Sequence, residues 1–253
     1  MRALTARRPL LLPLPLLPPL LLLPPLLLWQ GGASAANLQI SPVTISLHAG
    51  QGAAGVSLQN QGEAPVYGQV RVYLWEQKDG DDVLTPTQEM VASPPIIEIA
   101  AKNSQIIRLV RRAEQAPATE LCYRVLIDEI PRDDGSPNSG VDIRLRYSVP
   151  LFALPADERG LPALTWTVYK KDGDWMLRIR NGGQLHAQIG SLTLSNRAGL
   201  SFVIAQGLFG YALAGRAREW RLPVAKDADL TGPLAVKAMI NARPLAASSS
   251  EAQ

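Results

Sequence analysis

Short runs of alternating apolar and polar residues, separated by turn chemistry, recur along the chain from Leu38 to Ile240. Successive side chains of an extended strand point to opposite faces, so a period of two specifies half-buried strands, whereas a helix needs apolar residues every three to four positions. The alternation predicts strands at residues 38–47, 55–59, 66–76, 96–99, 105–110, 121–129 and 141–152. Between them lie QNQGEAP, KDGDD, Ser93-Pro94-Pro95 and RDDGSPNSG, all rich in turn-forming residues. Seven such strands in about 115 residues have the count and spacing of an immunoglobulin-like sandwich.

The segment ALPADERGLP, residues 153–162, is polar and broken by proline and glycine, and reads as a linker. A second strand set follows at residues 164–170, 175–180, 187–194, 200–205, 219–222 and 234–240, and the small polar tail LAASSSEAQ is expected to fray. The fold class expected is therefore all-β, with one sandwich over residues 36–152 and another over 163–253.

Residues 1–35 have a different composition. Arg2, Arg7 and Arg8 precede a Leu/Pro run and then Ala33-Ser34-Ala35, the layout of a secretory signal peptide that directs export to the periplasm. A retained anchor is the other reading, opposed by the prolines between Pro9 and Pro25, each of which removes a helix hydrogen bond. The chain has 25 Lys+Arg against 22 Asp+Glu, and three Arg with no acid fall in this segment. The remainder is balanced, so neither nucleic acid nor an anionic membrane is expected as the main partner, and after signal removal the protein is not expected to be integral to a membrane. The single cysteine, Cys122, excludes an intramolecular disulfide and reads as a small buried hydrophobe.

Motifs for catalysis are scarce, and neither an enzyme nor a cofactor or metal site is expected. His48 and His186 are far apart, lack Cys or acid at metal-ligand spacing, and read as surface residues. The acids Asp79/Asp81/Asp82, Asp133/Asp134 and Asp172/Asp174 adjoin glycine in turn-like sequences and read as solvated hairpin loops. A glycosidase-like carboxylate pair remains a distant alternative.

The unusual element is VDIRLRYSVPLF, where Val141, Ile143, Leu145, Tyr147 and Val149 share one face. Strands typically span about 5–6 residues, and this alternation is longer. Periodicity alone fits two readings: the ladder fills its own core, or it forms an edge that adds to a partner.

LQISPVTISLHAGQ, SLQNQGEAPVYGQVRVYLW, VASPPIIEIAAKNSQIIRLV, ELCYRVLIDEIP and VDIRLRYSVPLFALP, in that order, resemble the N-terminal domain of PapD-like periplasmic chaperones of fimbrial biogenesis. YRVLIDEIP and the RLRYSVPLFALP ending are most similar to the archaic, Csu-type chaperone–usher class. The resemblance implies two immunoglobulin-like domains in a boomerang arrangement, and a periplasmic chaperone that needs no ATP. Such a chaperone completes pilus subunits lacking their final strand and passes them to an outer-membrane usher. On that basis Val141, Ile143, Leu145, Tyr147 and Val149 are the subunit-binding ladder. Relatives anchor the subunit carboxylate with an Arg and a Lys at places occupied here by Thr44 and Pro150, so another cation is needed. Arg124 is the first candidate and Arg108 the second; each alternatively serves as a surface cation or pairs with Glu120. The family's interdomain ion pair retains its acid at Glu120, but Leu154 stands where the Arg is expected. A secreted two-domain binding module is the alternative function.

Overall fold

The computed structural model describes residues 38–130 and 144–251, and within them every regular element is a strand. The first sandwich contains β1 (Leu38–Ser41), β2 (Ile45–Leu47), β3 (Ala53–Asn60), β4 (Val66–Lys78), β5 (Asp81–Pro86), β6 (Met90–Ser93), β7 (Ile96–Ile99), β8 (Ser104–Arg111), β9 (Leu121–Glu129) and β10 (Arg146–Ala153). One sheet runs β1-β3-β8-β6; the other runs β2-β10-β9-β4-β5, with β7 also paired to β4. Val56, Leu58, Ile107 and Leu109 from the first meet Val125, Ile127 and Leu151 from the second in one core. Alternate residues of each strand supply it, as the period-two pattern predicts.

The run expected as one strand over residues 38–47 is two. β1 pairs with β3, whereas β2 pairs in parallel with β10 in the opposite sheet. Pro42 lies between them. Proline offers no backbone N–H to continue a ladder, and here the chain crosses from one sheet to the other. The crossing leaves Val43 and Thr44 exposed.

β4 and β5 form a hairpin closed by Asp79 and Gly80, both with positive φ (53° and 84°), as a two-residue primed turn demands. KDGDD is thus the turn its composition predicts. β5 escaped the alternation pattern because nearly all of it is exposed, so no apolar face marks it.

The second sandwich contains β11 (Leu164–Lys171), β12 (Asp174–Asn181), β13 (Ala187–Ser195), β14 (Ser201–Ala205), β15 (Gly210–Ala212), β16 (Ala217–Arg221), β17 (Ala235–Ile240), β18 (Arg243–Ser248) and β19 (Ser250–Glu251). Its sheets run β16-β12-β11-β19 and β14-β13-β17-β18, with β15 on β13. Within the tail expected to fray, residues 245–248 and 250–251 instead lie in strands. β18 pairs with β17 along its length and packs Leu245 and Ala247 against the core.

A third, smaller cluster joins the two sandwiches. Trp75, Cys122 and Phe152 from the first meet Tyr211 and Leu213 from the second, with Leu154 against them. The β4–β5 hairpin also touches the second sandwich: Gly80 C=O accepts from the backbone N–H of Glu219 at 2.9 Å and from the Arg218 guanidinium. A Cβ on Gly80 would lie 2.9 Å from the Glu219 side chain, so both φ and space require glycine there.

Candidate functional site: a strand edge beside a cation-lined cleft

β10 pairs antiparallel with β9 from Arg146↔Asp128 to Ala153↔Leu121, whereas β2 covers its other edge only at Leu151–Ala153. From Arg146 to Pro150 the outer edge has no strand partner among the described residues. The edge is fastened through Asp128, which accepts from Arg71 Nη2 at 2.6 Å and from Arg146 Nε. Burial pushes the Asp128 carboxyl upward, but hydrogen bonds from the two guanidinium groups outweigh it and hold the group below the usual carboxylate range.

The expected ladder divides along this strand. Val149, 5% exposed and opposite Val125, lies in the home core. Tyr147 packs partly against that core, and burial raises its pKa. Leu145, 37% exposed, lies before the first residue of β10. Val141 and Ile143 fall outside the described residues. A single outward ladder from Val141 to Val149 therefore needs correction: its last member is a core residue, because β9 and the facing sheet already enclose that part of β10.

On the opposite face of the same ladder, Pro150 stands across from Arg124. Arg124, Thr44, Ser148, Pro150, Asp82 and Tyr211 line a cleft of about 400 Å³ between the sandwiches. The Arg124 guanidinium lies 3.6 Å from the centre of the Trp75 ring and 5.2 Å from that of Tyr211. Burial lowers its pKa, yet an arginine so high on the scale keeps its charge. No carboxylate forms an ion pair with Arg124 among the described residues. Asp82 attracts it, but one Asp82 oxygen already accepts from Trp75 Nε1 and Gln77 Nε2, each at 3.0 Å. Arg108 is elsewhere: it is exposed on β8 of the opposite sheet, between Gly55 and Ser93, and does not line this cleft.

The junction that forms the cleft is held by polar groups that the sequence did not reveal. Glu120 accepts from the His186 backbone N–H at 2.6 Å and contacts His186 Nδ1 at 2.8 Å, while the imidazole stacks on Phe152 with centroids 3.5 Å apart. His186, expected at the surface, thus takes the place of the missing arginine, and Leu154 joins the apolar cluster instead. Glu120 does not pair with Arg124 or Arg108. Gln77 spans the junction with its amide: Nε2 donates to Tyr211 C=O at 2.8 Å, and Oε1 accepts from Leu213 N–H at 3.0 Å. The only sequence signals were an acid just before the run LCYRVLI and a polar residue two positions after Trp75, on the face of β4 turned away from its own core.

Residues 37–158 match the family model described as pili and flagellar-assembly chaperone, PapD N-terminal domain. No curated protein matches the sequence significantly. Among solved structures, the chain is similar to one in the CsuC–CsuE chaperone–tip adhesion subunit pre-assembly complex of archaic chaperone–usher Csu pili of Acinetobacter baumannii. The TM-score is 0.67 at 24% identity, covering 86% of this chain and 100% of that one. The YadV chaperone matches with TM-score 0.59 at 19% identity, covering 84% and 98%. A chain of the Salmonella enterica SafA pilin–SafB chaperone complex matches with TM-score 0.56 at 17% identity, covering 85% and 95%. At these identities the structural matches establish the fold: two immunoglobulin-like sandwiches.

Proposed function

We propose, from the premise that residues 37–158 belong to the PapD N-terminal domain family of pili and flagellar-assembly chaperones, that the chain is a periplasmic chaperone of a chaperone–usher pathway. Its partners are pilus subunits whose own sandwich lacks a final strand, and an outer-membrane usher that receives them. The observation that carries this reading is the outer edge of β10 from Arg146 to Pro150, which has no strand partner among the described residues and offers backbone hydrogen bonds to an added strand.

In this mechanism the subunit completes its sheet on β10. Leu145, with Ile143 and Val141 before it, fills the subunit groove, while Val149 and Leu151 keep the strand rooted in its own core. Burying each aliphatic side chain contributes about 1.5–3 kcal/mol, part of which offsets the lost freedom of association. No nucleotide enters, because sandwich completion itself stabilises the complex. The subunit's terminal carboxylate binds Arg124, whose charge and fork of donors suit a carboxylate and which lines the cleft with Thr44 and Pro150. Exported residues 36–253 comprise the sandwiches, and residues 1–35 the signal peptide.

Co-expression with a subunit lacking its last strand tests this. The expected outcome is a one-to-one complex that protects the subunit from degradation. If that complex survived Ile143→Asp combined with Leu145→Asp, the strand-donation mechanism would be wrong.

A further inference from the structure

The cleft at Arg124 has an apolar lining besides its cation. Val43, from the crossing between β1 and β2, is 73% exposed, and Leu208, from the loop between β14 and β15, is 59% exposed; both line the cleft, one on each sandwich. Phe209 and Trp220, both half-buried, line it too, with ring centroids 4.9 Å apart. The Trp220 ring lies against the backbone of β15 because residue 210 is glycine: a Cβ there would stand 2.9 Å from the indole. Singly exposed apolar residues are ordinary, but here two exposed and two half-buried ones gather on one concave surface, the mark of a contact with another molecule.

The charges in the cleft decide what that molecule carries. Arg124, stacked on Trp75, forms no ion pair among the described residues. Asp82 is the one acid among the lining residues, and both its oxygens are engaged: one accepts from Trp75 and Gln77, and the other lies 3.4 Å from Arg218 Nε. A single carboxylate beside a bulky apolar group therefore complements the cleft, whereas a second carboxylate would meet apolar walls and Asp82.

We propose, resting on the chaperone reading above, that the cleft reads the last residue of the bound subunit. Arg124 takes its carboxylate, while Val43, Leu208, Phe209 and Trp220 take its side chain. Subunits ending in a bulky apolar residue are thereby selected over those ending in a small or acidic one, and the second sandwich has a direct part in specificity.

Chemical-shift titration of the labelled exported chain with N-acetylphenylalanine, N-acetylglycine, N-acetylaspartate and N-acetylphenylalaninamide tests it. One saturable site for N-acetylphenylalanine is expected, with a Kd of about 1 mM and shifts at Val43, Arg124 and Leu208. The glycine, aspartate and amide probes, which lack the ring, add a charge or lack the carboxylate, should each bind about tenfold more weakly. Leu208→Ser, a change at the surface that the fold tolerates, should remove most of the advantage of N-acetylphenylalanine over N-acetylglycine. Any of the three weaker probes binding as tightly as N-acetylphenylalanine overturns the proposal, as does the absence of saturable shifts up to about 10 mM.

Co-expression with a subunit lacking its last strand and ending in Phe, Ser or Asp separates this selectivity from the function on which it rests. Capture of the Phe form should exceed that of the other two by about tenfold. Capture indifferent to the last residue overturns the selectivity and leaves the chaperone function standing; no capture of any form overturns both.

Discussion

Pro150 stands directly opposite Arg124 in the β9–β10 ladder, so the strand residue beside the cleft cation carries neither charge nor backbone N–H. The cation lining the cleft reaches instead from the neighbouring strand, β9. The Trp75 ring supports that cation at 3.6 Å, and the neighbouring Tyr211 ring flanks it at 5.2 Å.

Arg124→Ala is expected to abolish subunit capture while lowering the thermal midpoint by no more than about 8 °C. The stacking it removes contributes about 0.5–2 kcal/mol, and no ion pair among the described residues is lost with it. Co-purification yield alongside a melting curve checks this; a larger stability loss with capture retained would make Arg124 a structural residue.

Two aspartates placed four residues apart should behave oppositely. Leu145→Asp is expected to change stability by about 0.5 kcal/mol or less and to impair capture, since Leu145 lies outside the home core. Val149→Asp puts a charge in that core and should destabilise the first sandwich by about 3 kcal/mol or more. Urea titration of both variants separates the two halves of the ladder.

The ladder also shows what sequence could and could not convey. Period-two alternation located most strands and placed KDGDD and KDGD in turns, because burial on one face leaves a repeating mark. It could not locate where the home core ends along β10, since Leu145 and Val149 share one parity and differ only in what β9 and the facing sheet enclose. β5 and β18 carry little apolar signal, being held by pairing with a neighbour. His186 and Gln77 were invisible for another reason: their partners, Glu120 and the Tyr211–Leu213 backbone, are 66 and more than 130 residues away.

His186→Ala should destabilise the junction by about 1.5–3 kcal/mol, because the buried Glu120 carboxylate loses its side-chain partner. Gln77→Ala removes two different hydrogen bonds across the same junction and should cost about 1–3 kcal/mol. Chemical denaturation of the single and double variants checks both values, and the cycle measures whether the two contacts act together.

Asp128 gives the edge strand a pH dependence. Its folded pKa lies below the unfolded value, so it contributes stability above the unfolded pKa of about 3.9 and loses it as pH falls through the folded value. Asp128→Asn should therefore be less stable than the parent at pH 7, with the difference shrinking below about pH 4. Thermal melts across that interval test this, and amide exchange at Arg146–Ser148 reports whether β10 loosens with it.

The 13 residues of β4 extend about 40 Å at about 3.3 Å per residue, from the first sandwich's core to a turn resting on Arg218 and Glu219. Inserting two residues would preserve which side chains face inward, yet carry Gly80 about 7 Å past its contact. Parity in this strand answers to one sandwich and length to the other. β4 is thus a gauge whose reading fixes how far apart the two walls of the cleft stand.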